Sequence, residues 1–532
     1  MQQPQDRFHL YQSVEKRLAQ IAAEGHAGLL GGGAIGLEKE SLRVSPEGGI
    51  AQTPHPHVLG AALTHPYITT DYSEALTEFI TPPFEDVADA LDFLRDTQKF
   101  VYQSLDDEVF WSTSMPCVLA GGANIPIARY GSSNAGTMKT VYRRGLGHRY
   151  GRVMQVIAGV HFNFSLDPEI WPVLHELDGT HCELRHYIDA AYFGLTRNLQ
   201  RYGWLIPYLF GASPAVCKSF LSGKPTQLQE FDRSTYYEPF ATSLRMGDIG
   251  YTNSKEKGVG IKACYNSLDA YVESLTHAIE TSSPVWEKIG VKVNGRYEQL
   301  NTNILQIENE YYSTVRPKQL LEGMEKPTHA LKHRGVRYVE LRSLDVNAFH
   351  PLGVSDEQLR FLKVFMIFCM LQESPPINLQ EQREIDQNIG GAAHRGRDPG
   401  LFLSRQGREI RLRDWARELL DAMSGISEIL DAAGEGDVYG SALELQRAAV
   451  EDPALTPSAR MLAEMESQDE GFFHFARRMS LQHRDFFEGI ELSAQRSGEF
   501  ELEATASHER QAEIEAADDV SFDAFLDDYL KQ

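Results

Sequence analysis

The sequence predicts an α+β fold, with a largely antiparallel sheet carrying the functional groups, helices outside it, and a helical C-terminal third. Three observations lead there. Several segments before Ser355 alternate residues with the period of two that belongs to strands. Those segments do not alternate regularly with helical patterns, which disfavours a doubly wound parallel sheet. From Ser355 onward, apolar residues recur at helical spacing instead, in Glu357–Leu371, Leu412–Leu430, Ser441–Val450, Ser458–Met465 and Gly471–Phe487.

Taken in order, Leu10, Val14, Leu18 and Ile21 mark a first helix that ends at Gly28-Leu29-Leu30-Gly31. A strand runs on to Val44 and closes in the turn Ser45-Pro46-Glu47-Gly48-Gly49. Asp71 through Glu78 leads into Phe79-Ile80-Thr81-Pro82 as a second strand segment. An amphipathic helix spans Asp86 to Leu105, with Val87, Leu91, Leu94, Phe100 and Val101 on one side. Gln155 to Leu166 reads as a strand presenting Gln155, Gly159, His161 and Asn163 on one face. Asn303–Glu310 and Arg337–Leu344 complete the strands, and Asn388-Ile389-Gly390-Gly391-Ala392 reads as a loop. No repeat or linker divides the chain. Residues 1–490 are therefore expected as one domain, helical from about 355, followed by an acidic tail over 491–532.

With 532 residues, 42% of them hydrophobic, the chain has ample material for a large core. A formal charge of −24 argues against nucleic acid as a partner. Glu499 to Gln532 holds eleven Asp/Glu against Arg510 and Lys531, so this stretch carries −9 and is expected as a solvated helix or a disordered end. The longest apolar run, Val364–Leu371, is too short to cross a bilayer. Residues 1–7 are polar, without a secretory pattern. Cys117, Cys182, Cys217, Cys264 and Cys369 are scattered, odd in number and lack a C-x-x-C. Reduced thiols in the cytoplasm are the expectation.

Strand alternation points Glu38 and Glu40 the same way, as it does Glu74 and Glu78, and Glu340 and Arg342. Clustered carboxylates repel one another, and when buried they take up protons unless cations sit among them. Hard divalent ions, and with them a Mg-nucleotide site, are the simplest account. A plain ion pair between Arg342 and Glu340 is the competing reading. Other motifs fail. Gly31-Gly32-Gly33-Ala34-Ile35-Gly36 matches G-x-G-x-x-G but follows a helix and opens a strand, the reverse of a dinucleotide fingerprint. There is no Walker A sequence and no H-E-x-x-H, and Gly211-Ala212-Ser213-Pro214 is not a nucleophile elbow.

Long strings carry a further signal: Gly36-Leu37-Glu38-Lys39-Glu40-Ser41-Leu42-Arg43-Val44, Glu78-Phe79-Ile80-Thr81-Pro82, Ser114-Met115-Pro116-Cys117, Tyr142-Arg143-Arg144-Gly145-Leu146 and Gly159-Val160-His161-Phe162-Asn163-Phe164-Ser165. Pro207 to Pro214, Ala241-Thr242-Ser243-Leu244-Arg245, Gly250-Tyr251-Thr252-Asn253, Leu305 to Glu310 and Glu340 to Asp345 continue it. In these strings the chain closely resembles the proteobacterial type of glutamate–cysteine ligase, over roughly residues 15 to 480. The resemblance implies a curved antiparallel sheet forming a funnel, related to the catalytic sheet of glutamine synthetases. It implies an ATP-dependent ligase that joins the γ-carboxylate of L-glutamate to the amine of L-cysteine through a γ-glutamyl phosphate, the first step of glutathione synthesis. Carried over by position, Glu38, Glu40, Asp71, Glu78, His161 and Glu340 would hold two or three Mg²⁺, with Mn²⁺ as an alternative ion. Glu38 and Arg342 would serve catalysis, Arg342 on the ATP γ-phosphate. Arg245 would meet glutamate, and Tyr72, Tyr142, Gln155, Tyr251 and Tyr312 would surround cysteine. Feedback inhibition by glutathione is expected from the same resemblance. Tyr72 stands where relatives carry Phe, and Lys39 where they carry Arg. A γ-glutamyl ligase using another amine and a non-catalytic nucleotide sensor remain the alternatives.

Overall fold

The computed structural model describes residues 11–117, 120–250, 261–434 and 436–532. At its centre is a seven-stranded sheet of β1 (Ala34–Val44), β2 (Ile68–Thr70), β3 (Leu76–Ile80), β4 (Val109–Phe110), β5 (Val160–Ser165), β6 (Val315–Lys318) and β7 (Tyr338–Leu344). The spatial order is β6-β7-β5-β1-β3-β2, and β4 pairs with the end of β1. Every pairing is antiparallel, as the irregular alternation of strands and helices predicts. The sheet stays open, with β6 and β2 as its edges.

Helices surround it, among them α1 (Gln12–Ala23), α2 (Val87–Tyr102), α3 (Asn134–Tyr150), α4 (Leu184–Tyr202), α5 (Asp356–Leu371), α6 (Leu379–Arg395), α7 (Leu412–Ala433), α8 (Val438–Glu451), α9 (Pro457–Ser467), α10 (Phe472–Glu488), α11 (Ala494–Ala517) and α12 (Phe522–Lys531). α5 is buried on every side from Phe361 to Leu371, which makes it a core helix. α2 starts at Asp86, whose carboxylate accepts from the Ala88 N–H. It covers the sheet face opposite the acidic side chains, where the buried Lys39 ammonium donates to Gln98 Oε1 of α2 at 2.5 Å.

Several expectations are corrected. Asn303–Glu310 is not a strand. Its side chains take the backbone partners that a ladder would need: Gln306 Oε1 accepts from Leu300 N–H, and Glu310 Oε2 from Gln306 N–H. The strand lies further on, in β6, an edge that tolerates Pro317. Asn388–Ala392 is the interior of α6 rather than a loop. The Asn388 side chain bonds both backbone groups of Ser404, tying α6 to the hairpin of 402–405 and 408–411. Cys117 and Cys217, expected as reduced thiols, form a disulfide with Cα atoms 5.5 Å apart. A separation of 100 residues hides that pairing from any reading of spacing. Cys182, Cys264 and Cys369 are free. The acidic C-terminal stretch is helical in α11 and α12, and Phe500 of α11 packs against Phe93 and Phe100 of α2.

Candidate active site

The strand register gathers the acidic residues. Across β1 and β5, Glu38 stands opposite His161; across β1 and β3, Glu40 stands opposite Glu78. On the other side of β5, Glu340 faces Asn163, and Arg316 of β6 faces Glu340. Directly opposed residues have Cβ atoms roughly 4.5–5.5 Å apart, so four neighbouring strands suffice to build one acidic floor. Asp71 joins from the turn after β2, where its N–H donates to Leu76 O at 2.9 Å. The four glutamates, Asp71, His161 and Arg316 line a single cavity of about 320 Å³ together with Tyr72, Tyr142, Gln155, Arg245, Tyr312 and Arg342.

Hydrogen bonds hold the floor in place. His161 Nδ1 lies 3.0 Å from Glu38 Oε2, and Asn163 Nδ2 donates to Glu38 Oε1 at 2.9 Å. Gly159 N–H donates to Glu40 Oε2 at 2.7 Å, and His161 Nε2 is 3.7 Å from Glu40 Oε1. Arg342 donates to Glu340 Oε1 at 2.8 Å, with Lys318 Nζ 3.4 Å from the other oxygen. The ion pair between Arg342 and Glu340 therefore forms, and it forms inside the cavity. Gly159 has no room for a side chain: a Cβ there would lie 2.1 Å from Arg245 Nη2. Arg245 in turn donates to Arg342 O at 3.0 Å.

The carboxylates are not equivalent. Burial, then repulsion from Asp71, pushes Glu40 up to about 8 against the pull of Arg245 and Arg342. Burial and the charges of Asp71, Glu38 and Glu40 push Glu78 well above its ordinary value. Glu340 is buried too, yet Arg342, Lys318 and His161 hold it well below the usual carboxylate range. Burial and Glu340 raise Glu38, but the bond to His161 and the charge of Lys318 outweigh them and leave it lowered. Burial, then Arg342, lowers His161 and favours the neutral ring that can ligate a metal. One donor atom each from Glu38, Glu78 and His161 lies within 4.8 Å of the others.

Comparison with known proteins shows the family. The family model described as glutamate-cysteine ligase matches residues 18–391. A glutamate–cysteine ligase of Alcanivorax borkumensis is 48% identical over 527 residues, 97% of this chain and 99% of that one. One from Pseudomonas putida KT2440 is 49% identical over 494 residues, 93% of this chain and 94% of its own. The chain belongs to the glutamate–cysteine ligase family. It is accordingly an enzyme, a carbon–nitrogen ligase of glutathione biosynthesis. The crystal structure of glutamate–cysteine ligase from Francisella tularensis in complex with AMP superposes with a TM-score of 0.87 at 35% identity, covering 94% of this chain and 98% of that one. A bifunctional glutathione synthetase from Pasteurella multocida shares the fold, with a TM-score of 0.68 at 24% identity over 91% of this chain and 57% of its own.

Glu74 does not belong with Glu78. Residues 71–75 form a turn rather than a strand, and the Glu74 carboxylate accepts from His55 N–H and Arg129 N–H, both at 2.7 Å. Tyr251 lies outside the described residues. Sequence reasoning missed four cations in the cavity wall: Lys139 and Arg143 on α3, and Arg316 and Lys318 on β6. The last two flank Pro317 at strand spacing and were legible once Val315–Lys318 was seen as a strand. Lys139 and Arg143 are one helical turn apart, with Tyr142 and Leu146 on the same face. Arg143 also donates to Asp71 O and stacks on Tyr130, 4.6 Å from the ring centre. The Tyr130 hydroxyl donates to Asp71 O at 2.9 Å.

Proposed function

We propose that this enzyme uses ATP to phosphorylate the γ-carboxylate of L-glutamate and lets the amine of L-cysteine displace phosphate. The products are γ-glutamylcysteine, ADP and phosphate. The observation that carries the reading is the meeting, in one cavity, of buried strand carboxylates with Arg245, Arg342 and a tyrosine-lined wall. The AMP bound to the Francisella relative supports an adenine nucleotide as ligand.

The residues present fit hard divalent cations. Three donor atoms lie within mutual reach, and Glu40 and Glu78 are driven toward protonation by their neighbours when no ion offsets their charge. Glu38, Glu40, Asp71, Glu78, His161 and Glu340 would hold two or three Mg²⁺, or Mn²⁺ in its place. Bound there, the ions supply charge neutralisation and alignment for the triphosphate.

The chain's own side chains do the rest. Arg342, held by Glu340, offers a planar fork to the migrating phosphoryl group, where an ammonium would offer a point charge. As the bridging oxygen gains charge, that fork stabilises the transition state more than the ground state. Arg245, fixed by its contact with Arg342 O, pairs with the glutamate substrate's carboxylate. Tyr72, Tyr142, Gln155 and Tyr312 frame the cysteine, and Lys139 and Arg143 beside Tyr142 supply positive charge for an amino-acid carboxylate. The aromatic wall keeps water from the acyl phosphate, whose hydrolysis would waste ATP. Glutathione carries both a γ-glutamyl and a cysteinyl group, so it fits the same two pockets as a feedback inhibitor. The setting is the cytoplasm, where its substrates are made.

The test is phosphate release, which should require glutamate, cysteine and Mg²⁺ together. Mass spectrometry of products with cysteine, 2-aminobutyrate and polyamines then assigns the amine. Strong preference for a polyamine would overturn cysteine, and nucleotide binding with no turnover would overturn the enzyme reading.

A further inference from the structure

We propose that α11 and α12 form a positioning strap that sets the α3 wall of the cavity, and with it Tyr142 and Arg143, for the amine substrate. The inference rests on the reading of that wall as the cysteine pocket. The family match ends at residue 391, so it assigns no role to these helices.

α12 supplies the outer cover of α3. Leu526 and Tyr529 are buried with Met138 and Val141 of α3 and with Leu300, in an apolar cluster separate from the main core. Tyr142 and Ile307 sit at the edge of that cluster and also line the cavity. The Tyr142 side chain thus has substrate space on one side and α12 on the other. Without α12, Met138 and Val141 would face water.

The junction between α11 and α12 grips the start of α3. Glu515 accepts from Ser132 N–H at 2.7 Å, Asp518 accepts from Asn134 N–H, and Val520 O accepts from the Asn134 side chain at 3.0 Å. Two carboxylates at a helix N-terminus satisfy open N–H groups and complement the helix dipole. Gly131, at φ +78°, leaves room for them: a Cβ there would meet Glu515 Oε1 at 2.3 Å.

The strap is anchored at both ends. Ser507 of α11 accepts from Ala61 N–H at 2.9 Å, and its carbonyl accepts from Thr64 Oγ1 at 2.5 Å, in the segment leading to Asp71 and Tyr72. At the other end, Lys326 Nζ donates to Leu530 O at 2.9 Å and Lys292 Nζ lies 3.1 Å from Asp523. Two sides of the tyrosine-lined pocket are therefore held by one C-terminal segment. The high acid content that suggested a solvated tail includes the groups that cap α3.

The experiment compares the full-length enzyme with Leu526→Ala, Leu526→Met and a chain ending at Ser521. Leu526→Ala and the truncation should raise the KM for cysteine about tenfold or more, since small displacements of positioning groups are costly. The KM values for ATP and glutamate should stay within about twofold, and Leu526→Met, which refills the volume, should restore the cysteine KM. Hydrogen exchange should quicken at residues 134–143 and stay unchanged in β1 and β5. If the truncated chain does not fold, the two Leu526 variants decide. An unchanged cysteine KM, or a rise of all three KM values together, would overturn the strap. A rise confined to glutamate would keep the strap and overturn the assignment of the wall to cysteine.

Discussion

Burial and Glu340 raise Glu38, but the bond to His161 and the charge of Lys318 leave it lowered in a crowded acidic floor, and His161 and Asn163 fix its carboxylate at 3.0 and 2.9 Å. Replacing it by Gln preserves shape but removes a ligand charge, so Glu38→Gln should fold normally and lose about 10²–10³-fold in kcat. Circular dichroism with a phosphate-release assay checks both halves, and full activity at ordinary Mg²⁺ would contradict the role. Arg342→Ala should lower kcat by about 10²–10³-fold, as expected for one charge-stabilising donor. An effect confined to the cysteine KM would mean the residue is misplaced. Behind Arg245 stands Asp345, which accepts from Ala212 N–H, Ser213 Oγ and Ser243 Oγ at 2.8, 2.5 and 3.0 Å, with Arg245 Nη1 at 3.7 Å. This joins three of the long sequence strings, Gly211–Pro214, Ala241–Arg245 and Glu340–Asp345, through an aspartate to which the sequence assigned no role. Asp345→Asn turns a pure acceptor into a group that also donates, and should cost about 1–3 kcal/mol of stability. It should also raise the KM for glutamate. Thermal unfolding and initial rates measure the two effects, and an unaltered glutamate KM would reduce Asp345 to packing.

At the scale of elements, period-two patterning in β1, β5 and β7 was enough to place Glu38, Glu40, His161, Glu340 and Arg342 on one face. Register was not legible, because it depends on which strands pair, and the order β7-β5-β1-β3 joins segments some 300 residues apart. The periodic argument failed at Glu74, where residues 71–75 turn, and at Asn303–Glu310, where polar side chains replace ladder partners. It failed again at Asn388–Ala392, where two glycines read as a break although Asn388 is anchored to Ser404 and Ala392 is buried. The disulfide of Cys117 and Cys217 joins two loop-proximal positions that only tertiary packing brings together.

For the whole molecule, a net charge of −24 and a triphosphate ligand are reconciled inside the cavity, where Lys139, Arg143, Arg245, Arg316, Lys318 and Arg342 all face the site. The same balance governs stability. In the ion-free protein, Glu40 and Glu78 hold protons that the unfolded chain releases, because their folded values are raised. Between the ordinary carboxylate range and about 8 the folded state binds more protons, so stability should fall as pH rises through that window. Glu38 and Glu340 are lowered, so their contribution is present above the ordinary range and is lost as pH falls below it. Mg²⁺ needs the deprotonated forms, and its stabilisation, about 2.7 kcal/mol per site at 100 times Kd, should grow with pH. Melting curves at pH 5.5 and 8 with Mg²⁺ or a chelator test this, and an equal Mg²⁺ effect at both would contradict it. The central claim is that strand carboxylates converge on magnesium to cradle a triphosphate, and calorimetric titration of a non-hydrolysable ATP analogue tests it most directly. Tight binding with Mg²⁺, lost on chelation and strongly weakened in Glu38→Gln and Glu78→Gln, is the predicted result; binding that is indifferent to both the ion and the two substitutions would contradict it.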